Sequence, residues 1–87
     1  MKAVMVDFHD FESAREVHEY LADHLDFPDY YGKNLDALYE VLTELSEDSC
    51  VTAVRSGKPF EAGFLAVFRD AAEEGRHFFC TGCLEQR

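Results

Sequence analysis

Three short apolar runs, each parted from the next by residues of helical period, constrain this chain most. Lys2 to Phe8, Cys50 to Val54 and His77 to Thr81 are compact β-branched or aromatic runs, a composition suited to strands of a parallel sheet. Between the first two the period changes. Ser13 and Glu16 have capping-box spacing, and Ala14, Val17, Leu21 and Leu25 recur at three- and four-residue intervals, which predicts a helix over 13–25. Asn34 is placed to cap a second helix with Leu35, Leu38, Leu42 and Leu45 on its apolar side. After a break at Gly57 and Pro59, Phe64, Leu65, Phe68, Ala71 and Ala72 trace a third stripe, and Gly75 stands where a left-handed C-cap residue belongs. Strands that alternate with helices pair in parallel through crossovers. The expected fold is therefore α/β: a three-stranded parallel sheet with flanking helices, its first strand buried on both faces and Leu84 to Arg87 left as a tail.

The chain has 87 residues, enough for one domain over 1–87 that buries roughly 60–65% of its unfolded surface. With 47% hydrophobic residues it can offset its ordering entropy and form a packed core. No apolar run approaches the roughly 20 residues that span a bilayer. The N-terminus reaches Asp7 before a signal-peptide core could form. Three cysteines, Cys50, Cys80 and Cys83, are too few and too oddly counted for a disulfide scaffold. Both observations predict a cytoplasmic protein.

Charge is unevenly placed. The net charge is −10, and thirteen of the 18 acids precede Ser49, where only Lys2, Arg15 and Lys33 oppose them. The second half is neutral. Such a chain repels nucleic acid and anionic membranes and steers a cationic protein inward. Asp36, Glu40 and Glu44, four apart, stack on one face of the second helix with no lysine between them. Each adjacent pair costs about 0.2–0.5 kcal/mol. A row that folding does not reward points to a partner, and Tyr39 and Thr43 beside it supply an aromatic, hydrogen-bonding rim. Just upstream, Pro28 and Gly32 punctuate a loop carrying Tyr30 and Tyr31, side chains costly to leave fully in water.

Other chemistries find little support. Cys80-Thr81-Gly82-Cys83 has CxxC spacing, but too little chain follows for a redox helix, and zinc would need Cys50 and His77 as well. His9, His18, His24 and His77 form no catalytic grouping and read as surface residues or partial helix caps. Between Asp26 and Asp36, Pro28 and Tyr30 occupy the slots where a calcium loop needs oxygen ligands. No glycine-rich phosphate cradle is present, and carboxylate pairs are expected by chance among so many acids. The expectation is a protein with no cofactor, no metal and no catalytic residue: a monomer when free that binds another protein.

The run Phe27-Pro28-Asp29-Tyr30-Tyr31-Gly32-Lys33-Asn34-Leu35-Asp36-Ala37-Leu38 closely resembles the barstar family signature, a tyrosine loop leading into an Asn-Leu-Asp-Ala-Leu helix. Val67-Phe68-Arg69-Asp70-Ala71, followed by Ala72-Glu73-Glu74-Gly75, is similar to that family's last helix. The resemblance implies a barstar-like three-layer sandwich, with the family's third helix shortened or missing because the segment from Arg55 to Phe60 is too short to hold it. It also implies a bacterial immunity protein that inhibits a small basic ribonuclease of the barnase kind by plugging its active site. By position, Tyr30 corresponds to the tyrosine over the catalytic site, Gly32 and Asn34 to loop contacts, and Asp36 to a contact aspartate. Glu40 stands where the family usually inserts an aspartate into the phosphate site, and Asp70 where a glutamate is common. Tyr39 replaces a frequent tryptophan, Glu44 a common glycine and Leu45 a second tryptophan. The alternative reading is an acidic adaptor for a basic protein that is not a nuclease.

Overall fold

The computed structural model describes residues 2–85, and the side chains of residues 2–80. Strand β1 (Lys2–Asp7) leads through a single 3-10 turn (Phe8–Asp10) to helix α1 (Ala14–Leu25), then α2 (Leu35–Thr43), β2 (Ser49–Arg55), α3 (Glu61–Glu74) and β3 (Phe78–Glu85). The strands lie in the order β1-β2-β3, all parallel, with Val4 opposite Val51 and Ser49 opposite Phe78. This is the parallel α/β sheet with flanking helices that the alternating pattern predicts.

The caps follow the sequence at two helix starts. Ser13 accepts the Glu16 N–H at 3.3 Å while the Glu16 carboxylate accepts the Glu12 N–H at 2.9 Å. The Asn34 side chain accepts the Ala37 N–H at 2.8 Å. Helix α1 stops at Asp26, whose left-handed backbone (φ 56°) turns the Phe27 N–H back onto Ala22 O at 3.0 Å, and whose carboxylate pairs with Lys2 of β1. The end of α1 is thereby tied to the first residue of the sheet.

All three helices cover the same face. Val4, Val6, Val51, Ala53 and Phe78 form one cluster with Val17 and Leu21 of α1, Leu38 and Leu42 of α2, and Phe64 and Phe68 of α3. The opposite face carries Met5 at 58% and Phe79 at 43% exposure. The architecture is thus two layers rather than three, and β1 is buried on one face rather than both. The segment expected to be too short for a further helix is a turn of residues 56–60 that joins β2 directly to α3.

Three boundaries depart from expectation. Leu45 lies beyond α2, which ends at Thr43, although it still packs on the core. The expected tail is partly strand, since Leu84 and Glu85 pair with Val54 and Arg55 of the central strand β2; residues 86–87 lie outside the described residues. Gly75 is extended (φ −79°, ψ 148°), not left-handed. Its lack of a side chain serves a close approach instead: a Cβ there would sit 2.8 Å from Ala71 O and 3.5 Å from Leu42 O, where α3 passes the end of α2.

Candidate functional site

The loop ahead of α2 splits its two tyrosines. Tyr31 turns into the core, 7% exposed, and its hydroxyl lies 2.5 Å from His18 Nδ1. The Phe27 ring meets it edge-on at 4.9 Å. His18 is therefore not a surface residue: it is 3% exposed, with its ring centroid 4.8 Å from that of Phe64. The signal for this was present, because His18 stands three residues before Leu21 and four after Ala14 and so shares the apolar stripe of α1. Burial holds the imidazole below its ordinary value and pushes the Tyr31 phenol up, so the pair is neutral.

Acid should weaken the fold through this pair. The ordinary histidine value is 6.5 and the folded one is lower, so the unfolded chain takes up a proton first as the pH falls. Stability present above about pH 6.5 is lost below it, by at most about 1.4 kcal/mol per pH unit, until the folded imidazole protonates too. Urea unfolding at several pH values measures the loss, and His18→Gln should flatten it. Tyr31→Phe, which leaves His18 without its partner, should cost about 1 kcal/mol at neutral pH.

With Tyr31 as the anchor, Tyr30 is displayed outward at 87% exposure. Gly32 follows, and a Cβ there would press to 3.1 Å from Asn34 Nδ2, the side chain that caps α2. Loop and helix start are thus fitted to one another, which fixes Tyr30 relative to Asp36 and its helix.

Along α2, Asp36 and Glu40 are exposed in the helix, and Glu44 is its exposed C-cap residue, with its N–H on Glu40 O at 3.1 Å. Asp36 in the first turn suits the helix dipole; Glu44 at the other end opposes it, and the last turn holds no base. Tyr39 and Thr43 are half-buried beside the row, and Thr43 donates to Glu40 O at 3.0 Å. The bases of this half of the chain are engaged elsewhere. Lys2 pairs with Asp26, while Arg15 and Lys33 both reach Glu19 on α1, at 3.3 and 3.5 Å. Among the described residues no ion pair reaches Asp36, Glu40 or Glu44. Asp70 is exposed on α3, the helix packed along α2, and so is not part of the row itself.

The pleat separates the cysteines. Cys80 shares the helix-covered face with its partner Val51, whereas Cys50, opposite Phe79, is on the uncovered face. A zinc set drawing on both is ruled out by that alternation, and the CxxC spacing runs along a strand rather than into a helix. The Cys83 side chain lies outside the described residues. No helix of the described residues is long and apolar enough to cross a membrane.

A loop that presents one tyrosine and buries the next leads into an asparagine-capped helix whose acidic face no ion pair reaches among the described residues. The profile of the family described as Barstar (barnase inhibitor) matches residues 1–81. The chain belongs to the barstar family. It is also similar to a protein of Bacillus subtilis (strain 168) named "Putative ribonuclease inhibitor YrdF", with 43% identity over 70 residues, covering 80% of this chain and 76% of that protein. Within the barstar signature, Phe27 to Leu38, the residues divide by role: Phe27, Tyr31 and Leu38 build the core, while Tyr30, Gly32, Asn34 and Asp36 remain at the surface.

Proposed function

We propose that this protein is an inhibitor, not an enzyme, and that it blocks a small basic ribonuclease by seating the acidic face of α2 and the adjoining tyrosine loop in the cleft that holds RNA. The observation that carries the reading is the row Asp36, Glu40 and Glu44, reached by no ion pair among the described residues, beside the outward Tyr30, with Lys2, Arg15 and Lys33 paired elsewhere. Membership of the barstar family and the name of the Bacillus subtilis relative support it. Carboxylates at phosphate-like positions meet arginines through charge-assisted hydrogen bonds, and an exposed phenol ring covers what a base would cover. In this reading Glu40 enters the phosphate site, Asp36 and Glu44 flank it, and Tyr30 packs over the catalytic groups. Gly32 and Asn34 contact through the loop, Tyr39 and Thr43 form the rim, and Asp70 joins from α3. Such a protein protects the cytoplasm of the cell that makes the ribonuclease, as an immunity partner does.

The test is RNA cleavage by barnase, and by the small basic ribonucleases of the source organism, with increasing amounts of the purified protein. Stoichiometric loss of cleavage supports the proposal. Stable binding without loss of cleavage would make the protein an adaptor. Steering by the one-sided charge should make association fast at low salt and slow it about tenfold or more between roughly 10 and 150 mM salt, with dissociation much less affected. Stopped-flow association rates that stay flat over that range would remove steering from the mechanism.

A further inference from the structure

A groove of about 480 Å³ opens between the end of α1, the tyrosine loop and the chain that leaves α2. Phe27, Pro28, Val41 and Leu45 give it apolar walls, and the exposed Glu44 and Glu47 stand at its mouth. Lys2 and Asp26 also line it and pair with one another, and the Lys2 ammonium lies near enough to Glu47 to feel its charge as well. The net charge left in the groove is therefore that of the two glutamates. The C-terminal end of α2 adds the negative pole of its dipole at Glu44, unrelieved by any base in the last turn.

Apolar walls and an anionic mouth select one kind of occupant. An anion is repelled. A purely apolar side chain would strip water from Glu44 and Glu47 and return nothing. A bare cation would leave the walls of Val41 and Leu45 wet. A charge carried on an aliphatic stem satisfies both. We infer that this groove receives a lysine or arginine side chain of the partner ribonuclease, its stem along Val41 and Leu45 and its head at Glu44 and Glu47. The inference rests on the inhibitor reading for the identity of the partner, and it adds a second cationic contact, at the Glu44 end of the row and beyond it at Glu47.

Two measurements test it. In the first, N-acetylarginine amide is titrated into the isotope-labelled protein at constant ionic strength, with guanidinium chloride and N-acetylleucine amide as controls. Saturable shifts at the Val41 and Leu45 methyls and at the Glu47 amide, at least about fivefold tighter than with either control, are expected, and Glu47→Gln should weaken them. Shifts spread over the whole acidic surface, or equal shifts with guanidinium alone, would overturn the groove. In the second, Glu47→Gln and Leu45→Lys are compared with Glu40→Ala for inhibition of the ribonuclease. Leu45→Lys places the protein's own cation in the groove and should weaken inhibition about tenfold or more. Glu47→Gln changes only an exposed side chain, so its result does not depend on Leu45→Lys keeping the fold. Loss with Glu40→Ala but unchanged inhibition by both groove variants would overturn the groove and leave the inhibitor reading standing. If no variant, Glu40→Ala included, affects inhibition, the inhibitor reading as assigned falls, and with it the partner that this inference requires.

Discussion

Glu40→Ala is expected to weaken binding to the ribonuclease by about 3–5 kcal/mol, because the arginines it meets would be left buried and unpaired. The same substitution should make the free protein more stable, by about 0.5 kcal/mol. Glu40 is exposed between Asp36 and Glu44 at helical i,i+4 spacing, so truncation relieves two like-charge contacts and installs the best helix former. The main-chain role of the residue survives, since the bonds to its carbonyl from the Glu44 N–H and the Thr43 hydroxyl do not involve the side chain. An ordinary solvated face predicts the same gain in stability with no change in affinity. The two quantities must therefore be measured on one variant, by chemical denaturation and by titration of RNA cleavage. Affinity within about threefold of the parent, or 0.6 kcal/mol, would sink the phosphate-site assignment. Glu40→Asp is the finer probe: if the partner cleft is shaped for the longer side chain, shortening it also weakens binding.

The opposite signs explain how such a row is recognised in a sequence. Residues that serve folding are constrained by period and burial, and those were legible: the stripes Val17, Leu21, Leu25 and Leu38, Leu42 are all buried, and Ser13 and Asn34 cap as their spacing predicts. Residues that cost folding energy stand out because nothing local accounts for them, as with Asp36, Glu40 and Glu44. What escaped the sequence depends on the tertiary neighbourhood. Whether β1 is covered on one face or two depends on the side of the sheet to which the helices cross, and Val4 and Val6 look the same in either case. Tyr30 and Tyr31 are the same residue type at adjacent positions; only the presence of His18 and Phe27 on one side makes Tyr31 the anchor and Tyr30 the displayed ring. Glycine at position 75 suits either a left-handed cap or a tight crossing, and the chain uses it for the crossing with α2.

Glu61 is the residue that pattern reading passed over altogether, and its loss should cost the fold more than any other single polar change. It is 1% exposed at the first turn of α3, which has no side-chain N-cap. Its carboxylate accepts the Ser56 hydroxyl at 2.5 Å, the Lys58 N–H at 2.8 Å, the Ser56 N–H at 3.0 Å and the Gly57 N–H at 3.2 Å. One anion thus closes the turn between β2 and α3, and it does so at the positive end of α3. Burial alone would raise its pKa, but the Ser56 hydroxyl and the three backbone donors outweigh burial and hold the carboxyl below its ordinary 4.5. Glu61→Ala leaves those donors facing an empty space and should cost about 3–4 kcal/mol; Glu61→Gln, which keeps the shape but turns an amide toward N–H groups, should cost about 2 kcal/mol. Because the folded value is depressed, the stability it supplies is present above about pH 4.5 and is lost as the pH falls through that lower folded value, so Glu61→Gln should blunt acid unfolding at that end. Urea denaturation of the three proteins from neutral to acid pH gives all of these quantities. Hydrogen exchange at Ser56, Gly57 and Lys58 should quicken in the variants while the α2 amides remain protected at neutral pH, since every hydrogen bond to the Glu61 carboxylate comes from the β2–α3 turn. A cost below about 1 kcal/mol for Glu61→Ala would show that the turn is held by its own backbone and by the Lys58 ammonium on Phe8 O, 2.6 Å away, rather than by the buried carboxylate.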